Sequence, residues 1–119
     1  MENGKKLKQI RDAYVIRQVD RVDFPVFSDE GKRRYRICFK GRVQKVGFRL
    51  EVCQLAERLG LTGWCKNLEN GDVLAEIQGK PEKIRFLISF MEQLKRIRID
   101  EKIMEELEII ADETAFSRR

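Results

Sequence analysis

The hydrophobic pattern changes its period once between residues 35 and 60, and this change constrains the fold more than any other feature. Tyr35, Ile37 and Phe39 recur at every second position, which predicts a strand with one strongly apolar face. From residue 48 onward the apolar spacing becomes helical and ends before Gly60, on the residues Phe48, Val52, Leu55, Ala56 and Leu59. The chain is therefore predicted to pass from a strand into an amphipathic helix.

A second strand and helix follow the first pair. The hairpin signal Asn70-Gly71 lies between two strand signals, the segment Trp64–Leu68 and the alternating Val73, Ala75 and Ile77. The two-residue turn typical of this signal needs positive φ at both central residues. Proline at position 81 then opens a second helix, whose apolar stripe is Ile84, Leu87, Ile88, Met91 and Leu94. A fourth strand is predicted around Ile103, Leu107 and Ile109, and a short edge strand over Ala115–Ser117.

The element order β-α-β-β-α-β predicts an α+β fold of the ferredoxin-like kind. Its two helices would pack on one face of a four- to five-stranded antiparallel sheet. At 119 residues, of which 42% are hydrophobic, the chain has the size and apolar content of one domain. We assign residues 35–119 to this domain.

Residues 1–34 are interpreted as a basic N-terminal extension, partly disordered or folded as a short helix. Leu7, Ile10 and Tyr14 have helical spacing, although Ala13–Val19 also fits a strand. Residues 1–40 carry 11 Lys/Arg against 6 Asp/Glu, so the whole net charge of +5 lies in this part of the chain. The remaining residues are balanced and offer no general field for nucleic acid, so we expect no nucleic-acid partner.

Composition excludes several kinds of chemistry. The chain has no histidine, which excludes histidine general bases, Ser–His and Cys–His pairs, and zinc sites that contain histidine. Its three cysteines form no CxxC motif and are expected to be reduced, small core residues. We predict no metal and no cofactor. With no apolar run long enough for a membrane span or signal peptide, a cytoplasmic monomer is expected.

The segment Gly41–Arg49, with sequence GRVQKVGFR, joins the first strand to the first helix and is the best candidate for a binding site. Backbone amides of such a loop, together with a helix N-terminus, can converge on an anion. Arg49 falls in the first helical turn, where its guanidinium could bind a phosphate through two parallel hydrogen bonds. The simpler alternative is a solvated loop arginine.

Asn67 is the second candidate residue. It lies on the second strand near the hairpin turn, and its side-chain amide has both a donor and an acceptor with which to orient a water molecule. Considered alone, it is more simply explained as an exposed strand residue near a turn. The neighbouring carboxylates Glu69 and Asp72 are interpreted as solvated turn residues.

Together these segments resemble the acylphosphatase family. That family's loop reads G-x-V-Q-G-V-x-F-R and its second motif reads G-W-V-x-N, followed by G-x-V. The matching segments here are Gly41–Arg49, Gly63–Asn67 and Gly71–Val73, and an aromatic residue, Phe116, lies near the end as is common in the family. The resemblance covers residues 35–119.

The resemblance implies hydrolysis of the carboxyl–phosphate bond of a small-molecule acyl phosphate, without a metal. It also implies that Arg49 and Asn67 are catalytic, the asparagine placing the attacking water. The phosphate would be bound by the loop residues Gln44, Lys45, Val46, Gly47, Phe48 and Arg49.

This chain departs from the family pattern at Lys45, where the family has glycine. If the position needs positive φ, a lysine costs of order 1 kcal/mol in strain. Two further hypotheses therefore stay open. One is a module that binds acyl phosphate but turns it over poorly. The other is an RNA-binding domain of the same topology, although the predicted third strand, Val73–Gln78, has none of the stacking aromatic residues such a domain uses.

Overall fold

The computed structural model describes residues 2–27 and 31–119. Its elements in chain order are α1 (Glu2–Asp20), β1 (Arg33–Arg42), α2 (Phe48–Leu59), β2 (Thr62–Asn67), β3 (Val73–Gly79), α3 (Pro81–Gln93), β4 (Arg98–Leu107) and β5 (Phe116–Arg118). From β1 onward this is the β-α-β-β-α-β order predicted from the sequence, and the short edge strand predicted over Ala115–Ser117 forms as β5, one residue later.

The strands form one sheet in the order β4-β1-β3-β2-β5. The first four strands pair antiparallel, as predicted, but β5 pairs parallel to β2, so the sheet is mixed at that edge. The reason is the connection: after β4 the chain crosses from one edge of the sheet to the other and enters β5 running opposite to β4. Its last residues are thereby placed beside β2.

The hydrophobic core lies between the sheet and the helices α2 and α3. Ile37 and Phe39 of β1 are fully buried in it, and the Phe39 ring lies 5.0 Å from that of Phe48 at the start of α2. The predicted stripe of α3 is also buried, except that Leu94 falls just beyond the helix and is half-buried. The opposite face of the sheet carries a polar cluster in which Arg34 binds Glu76 and Glu113.

The N-terminal segment forms a helix of 19 residues that packs on α2. The strand alternative for Ala13–Val19 is therefore wrong. The residues that bury are Val15 and Val19, whereas the stripe of Leu7, Ile10 and Tyr14 singled out from its spacing is exposed. The apolar spacing indicated the wrong face of the helix, because the face that packs on α2 begins with polar residues and becomes apolar only at position 15.

The β2–β3 hairpin forms where Asn70-Gly71 predicted it, with a different turn. Of the two residues only Gly71 has positive φ, 97°. The Gly71 amide donates to the Leu68 carbonyl and the Leu68 amide to the Asp72 carbonyl, while the Asn70 side chain accepts a bond from the Asp72 amide. This is a longer loop that ends in a left-handed glycine, so positive φ is needed once instead of twice.

Among residues 2–27 and 31–119, no helix is long and apolar enough to cross a membrane. Within the same ranges, no group of three or more carboxylate or thiol side chains is arranged to hold a metal ion.

Candidate active site

The loop between β1 and α2 places its backbone amides at the helix N-terminus. Gly47 is the residue before α2 and has a left-handed conformation, with φ 78°. The Glu51 amide donates to the Gly47 carbonyl and begins the helical hydrogen bonding, so the amides before it have no acceptor within the helix. Free amides at the positive end of a helix dipole favour an anion at this position.

Lys45 lies in the middle of this loop with φ 61°, and it is the only residue other than glycine with positive φ in the described parts of the chain. The position therefore has the positive φ that was the condition for strain in the sequence analysis. A lysine there costs of order 1 kcal/mol relative to an unstrained residue. The side chain is exposed and lines the pocket described below.

Gln44 ties the loop to the β2–β3 hairpin. Its side-chain nitrogen donates to the carbonyls of Leu68 and Asp72 over 2.7 and 2.8 Å. The side chain is thus occupied in joining the two segments that carry the candidate residues. Only its backbone amide remains for an anion.

An ion pair between Arg96 and the buried Glu51 holds the loop in place. Arg96, between α3 and β4, donates to the Val46 carbonyl over 2.7 Å and to a carboxylate oxygen of Glu51 over 2.6 Å. Burial raises the pKa of Glu51, and the hydrogen bond from Arg96 offsets part of that rise. Glu51 could have been found from the sequence, because it lies on the apolar face of the first helical stripe, where a carboxylate needs a partner.

One pocket of about 460 Å³ brings the two candidate catalytic residues together. Arg49 projects into it from the first turn of α2 and Asn67 from the end of β2. Lys45, Gly47 and Phe48 also line the pocket, so five of the seven predicted site residues share it. Gln44 and Val46 are not among its lining residues, because one binds the hairpin and the other is buried in the core.

Arg49 is half-buried and donates to the main-chain oxygen of Arg119 over 2.9 Å. That bond uses one N–H of Nη1, so the Nε and Nη2 donors of the guanidinium remain for an anion. Arg118 also lines the pocket, which follows from the parallel pairing of β5 with β2. Sequence reasoning missed this arginine because nothing local to residue 118 indicates which strand lies beside it.

Four residues of α1 form another part of the pocket wall, and sequence reasoning missed these as well. They share one face of the helix: Gly4, Leu7, Lys8 and Arg11. Their spacing and basic character were visible in the sequence, but the docking of α1 beside the loop was not.

Asp72 is more enclosed than its predicted role as a solvated turn residue. Its carboxylate accepts from Lys40 over 2.6 Å and from Asn70 over 3.1 Å, and the hydrogen bond from Lys40 lowers its pKa below the ordinary value. Glu69 is exposed, as predicted. Neither carboxylate is among the residues that line the pocket.

The three cysteine thiols are free, and Cys65 alone is fully buried, with Cys38 and Cys53 half-buried. Burial raises the pKa of Cys53 to about 11 and raises that of Cys65 as well. These two thiols therefore stay protonated at neutral pH, which makes them poor nucleophiles.

Comparison with known proteins points to the family suggested by the two motifs. A sequence model of the acylphosphatase family matches residues 35–118. An acylphosphatase from Clostridium beijerinckii is 46% identical over 63 residues, which are 53% of this chain and 67% of that protein. One from Geobacter sulfurreducens is 40% identical over 75 residues, covering 62% of this chain and 82% of the relative.

The fold agrees with the sequence comparison. The crystal structure of acylphosphatase from Bacillus subtilis superposes with a TM-score of 0.67 at 27% identity, covering 73% of this chain and 98% of the other. The matched family segment begins at β1, so α1 lies outside it. From residue 35 to residue 118, in sequence and in fold, this chain belongs to the acylphosphatase family.

Proposed function

We propose that the chain hydrolyses acyl phosphates to a carboxylate and inorganic phosphate, by attack of water on a phosphate held in the loop before α2. The observation that carries this proposal is the shared pocket of Arg49 and Asn67 beside the free amides of that loop. The two residues come from separate elements, and Gln44 fixes the distance between those elements.

In the proposed reaction, the loop amides and the Arg49 guanidinium bind the phosphate oxygens. The Asn67 side-chain oxygen accepts a hydrogen bond from the attacking water and aims it at phosphorus. The new bond joins the water oxygen to phosphorus, and the bond between phosphorus and the acyl oxygen breaks with its electron pair on the carboxylate. The water proton passes to a phosphate oxygen, so the enzyme supplies no base.

This mechanism suits the residues present. The carboxylate leaving group is a weak base, so positioning and charge stabilisation suffice without protonation by an acid. Glu51 is committed to Arg96, and Asp72 to Lys40. We include in the proposal that no metal takes part, and that the chain acts as a cytoplasmic monomer.

Lys45 favours a second candidate, a module that binds acyl phosphate or a similar anion and turns it over slowly. Its left-handed backbone is strained, and its side chain reaches the pocket that the phosphate would enter. The loop that would bind the phosphate is the same in both candidates. They differ only in how fast the bound substrate reacts.

The test uses the full chain, benzoyl phosphate as substrate and a metal chelator in the buffer. We expect release of phosphate and benzoate in equal amounts, unaffected by the chelator, and competitive inhibition by inorganic phosphate. Binding of inorganic phosphate without hydrolysis would favour the binding module. Neither binding nor hydrolysis would overturn both candidates, and hydrolysis lost with the chelator would overturn the metal-free mechanism.

A further inference from the structure

The N-terminal helix is part of the active-site pocket. Its residues 4, 7, 8 and 11 lie on one face and line the same cavity as Arg49 and Asn67. This helix precedes the segment matched by the family model, so its contribution is a property of this chain's own extension.

The position of α1 is set by packing with α2 and the phosphate loop. Val15 and Val19 are fully buried, and Arg58 of α2 donates to the Val19 carbonyl over 2.9 Å. One turn before Val15, Arg11 lies against the loop. A Cβ atom placed on Gly47 would come within 3.1 Å of the Arg11 Nε atom. Arg11 of α1 therefore lies against the loop that would hold the phosphate.

The charge of this pocket exceeds what one phosphate group requires. Among the described residues that line it, no side chain is acidic and five are basic, namely Lys8, Arg11, Lys45, Arg49 and Arg118. A phosphate monoester brings only about 1.5 to 2 negative charges at neutral pH. In the proposed reaction that charge is met by the loop amides and Arg49, which leaves four cations without a role, two of them on α1: Lys8, Arg11, Lys45 and Arg118.

The two basic residues that α1 contributes to the pocket are not equivalent. Arg11 donates to the neighbouring Asp12 carboxylate over 3.1 and 2.9 Å, so this ion pair as a whole has no net charge. Lys8 is exposed and has no ion pair within the described residues. It lies one turn farther from the loop than Arg11, beside Leu7, whose side chain is 68% exposed at the pocket.

We infer that Lys8 is a specificity-determining residue, which binds a second anionic group on the acyl part of the substrate. The preferred substrates are then acyl phosphates whose short carbon chain ends in a carboxylate or phosphate, with Leu7 in contact with the carbon chain. This inference rests on the proposed function, since it assigns the substrate class of the same site.

The test compares two substrates of equal chain length, succinyl phosphate and butyryl phosphate, which differ in a terminal carboxylate against a methyl group. The measured quantity is the ratio of their kcat/KM values in the full chain. We expect succinyl phosphate to be preferred, and Lys8→Gln to lower the ratio about two- to fivefold, as for one exposed ion pair. Lys8→Glu should lower it further. Lys6→Gln, an exposed lysine of the same helix away from the pocket, is the matched control and should leave the ratio unchanged.

Each outcome either supports or overturns the inference. A ratio at or below one in the natural chain, with both substrates hydrolysed, overturns the inference and leaves the proposed function intact. A ratio unaffected by Lys8→Glu, or lowered equally by Lys6→Gln, overturns the role of Lys8. Failure to hydrolyse either substrate overturns the proposed function, and this inference with it.

Discussion

Lys45 is the residue at which this chain departs most clearly from its family. Its φ of 61° is a conformation that glycine adopts without strain and that a lysine adopts at a cost. The side chain also lines the pocket that we assign to the phosphate. The loop thus has positive φ at this position, in a lysine whose side chain lines the pocket.

Replacing this lysine separates strain from charge. We expect Lys45→Gly to raise kcat, because the loop relaxes and the side chain no longer shields it. Lys45→Gln removes the charge but keeps a strained side chain, so it should not raise kcat. Stability of the glycine variant can move either way, since strain relief competes with about 0.5–1 kcal/mol of added chain entropy in the unfolded state.

The measurements are kcat and the inhibition constant of inorganic phosphate for both variants. If Lys45 instead serves as an extra phosphate cation, both substitutions should weaken phosphate binding and leave kcat flat or lower. A glycine variant that binds and turns over more weakly than the natural chain would contradict the strain account.

Arg49 is the residue whose geometry we expect to be irreplaceable. Arg49→Lys keeps the positive charge but loses the planar pair of donors, so we expect kcat/KM for benzoyl phosphate to fall by about 100-fold. The fold should persist, because the side chain is half-buried and its bond goes to the main chain of Arg119. Arg42→Lys, an exposed arginine at the end of β1, is the control. Equal activity in Arg49→Lys and the natural chain would refute the assignment.

At the scale of elements, α1 contributes to stability because it packs against α2. Val15→Ala removes buried methyl groups at the contact with α2 and should lower the free energy of unfolding by about 1.5 kcal/mol. Ile10 lies on the exposed face of the same helix and is 59% accessible. Ile10→Ala should therefore change the free energy of unfolding by less than about 0.5 kcal/mol. Urea unfolding of both variants measures this. Equal effects would mean that α1 is not held through the face described here.

The hairpin beside Asn67 is held by the ion pair of Lys40 and Asp72, which makes its stability depend on pH. The pKa of Asp72 is lowered in the folded chain, chiefly by the hydrogen bond from Lys40. A lowered carboxylate pKa contributes stability that is fully present above the ordinary value of 3.8 and is lost as the pH falls through the folded value.

Asp72→Asn removes that titration. We expect it to be less stable than the natural chain at pH 7, with the difference shrinking as the pH falls below about 4. Glu69→Gln, on the same turn but exposed, should differ from the natural chain by a small amount at every pH. Urea unfolding across this pH range measures all three proteins. A constant gap between natural chain and Asp72→Asn would show that the pair contributes no pH dependence.

At the scale of the whole molecule, sequence reasoning succeeded where the signal was local and periodic. The stripe from Phe48 to Leu59 and the alternation of β1 predicted the element order, and two motifs singled out Arg49 and Asn67, which line one pocket. It failed on partners distant in the sequence. Nothing near residue 118 predicts that β5 runs parallel to β2, and nothing near Lys8 predicts a pocket formed with residues 45–49.

The same limit applies to the distribution of charge. Summed along the chain, residues 41–119 are neutral, and the excess of positive charge lies in the first 40 residues. In three dimensions α1 brings Lys8 and Arg11 to the loop, and β5 brings Arg118. Five basic side chains from three helical or strand elements and one loop thus line one pocket, although residues 8 and 118 are far apart in the sequence.

The central claim is that one pocket binds phosphate through the loop before α2 and directs water through Asn67, which comes from a different part of the chain. The most direct test is Asn67→Ala, with kcat and the inhibition constant of inorganic phosphate measured on the same preparation. We expect kcat to fall by about 100-fold while the phosphate inhibition constant changes by less than about twofold, the pattern of an interaction made only in the transition state. An inhibition constant that rises in step with the fall in kcat would contradict the account, because Asn67 would then be a ligand of the bound phosphate.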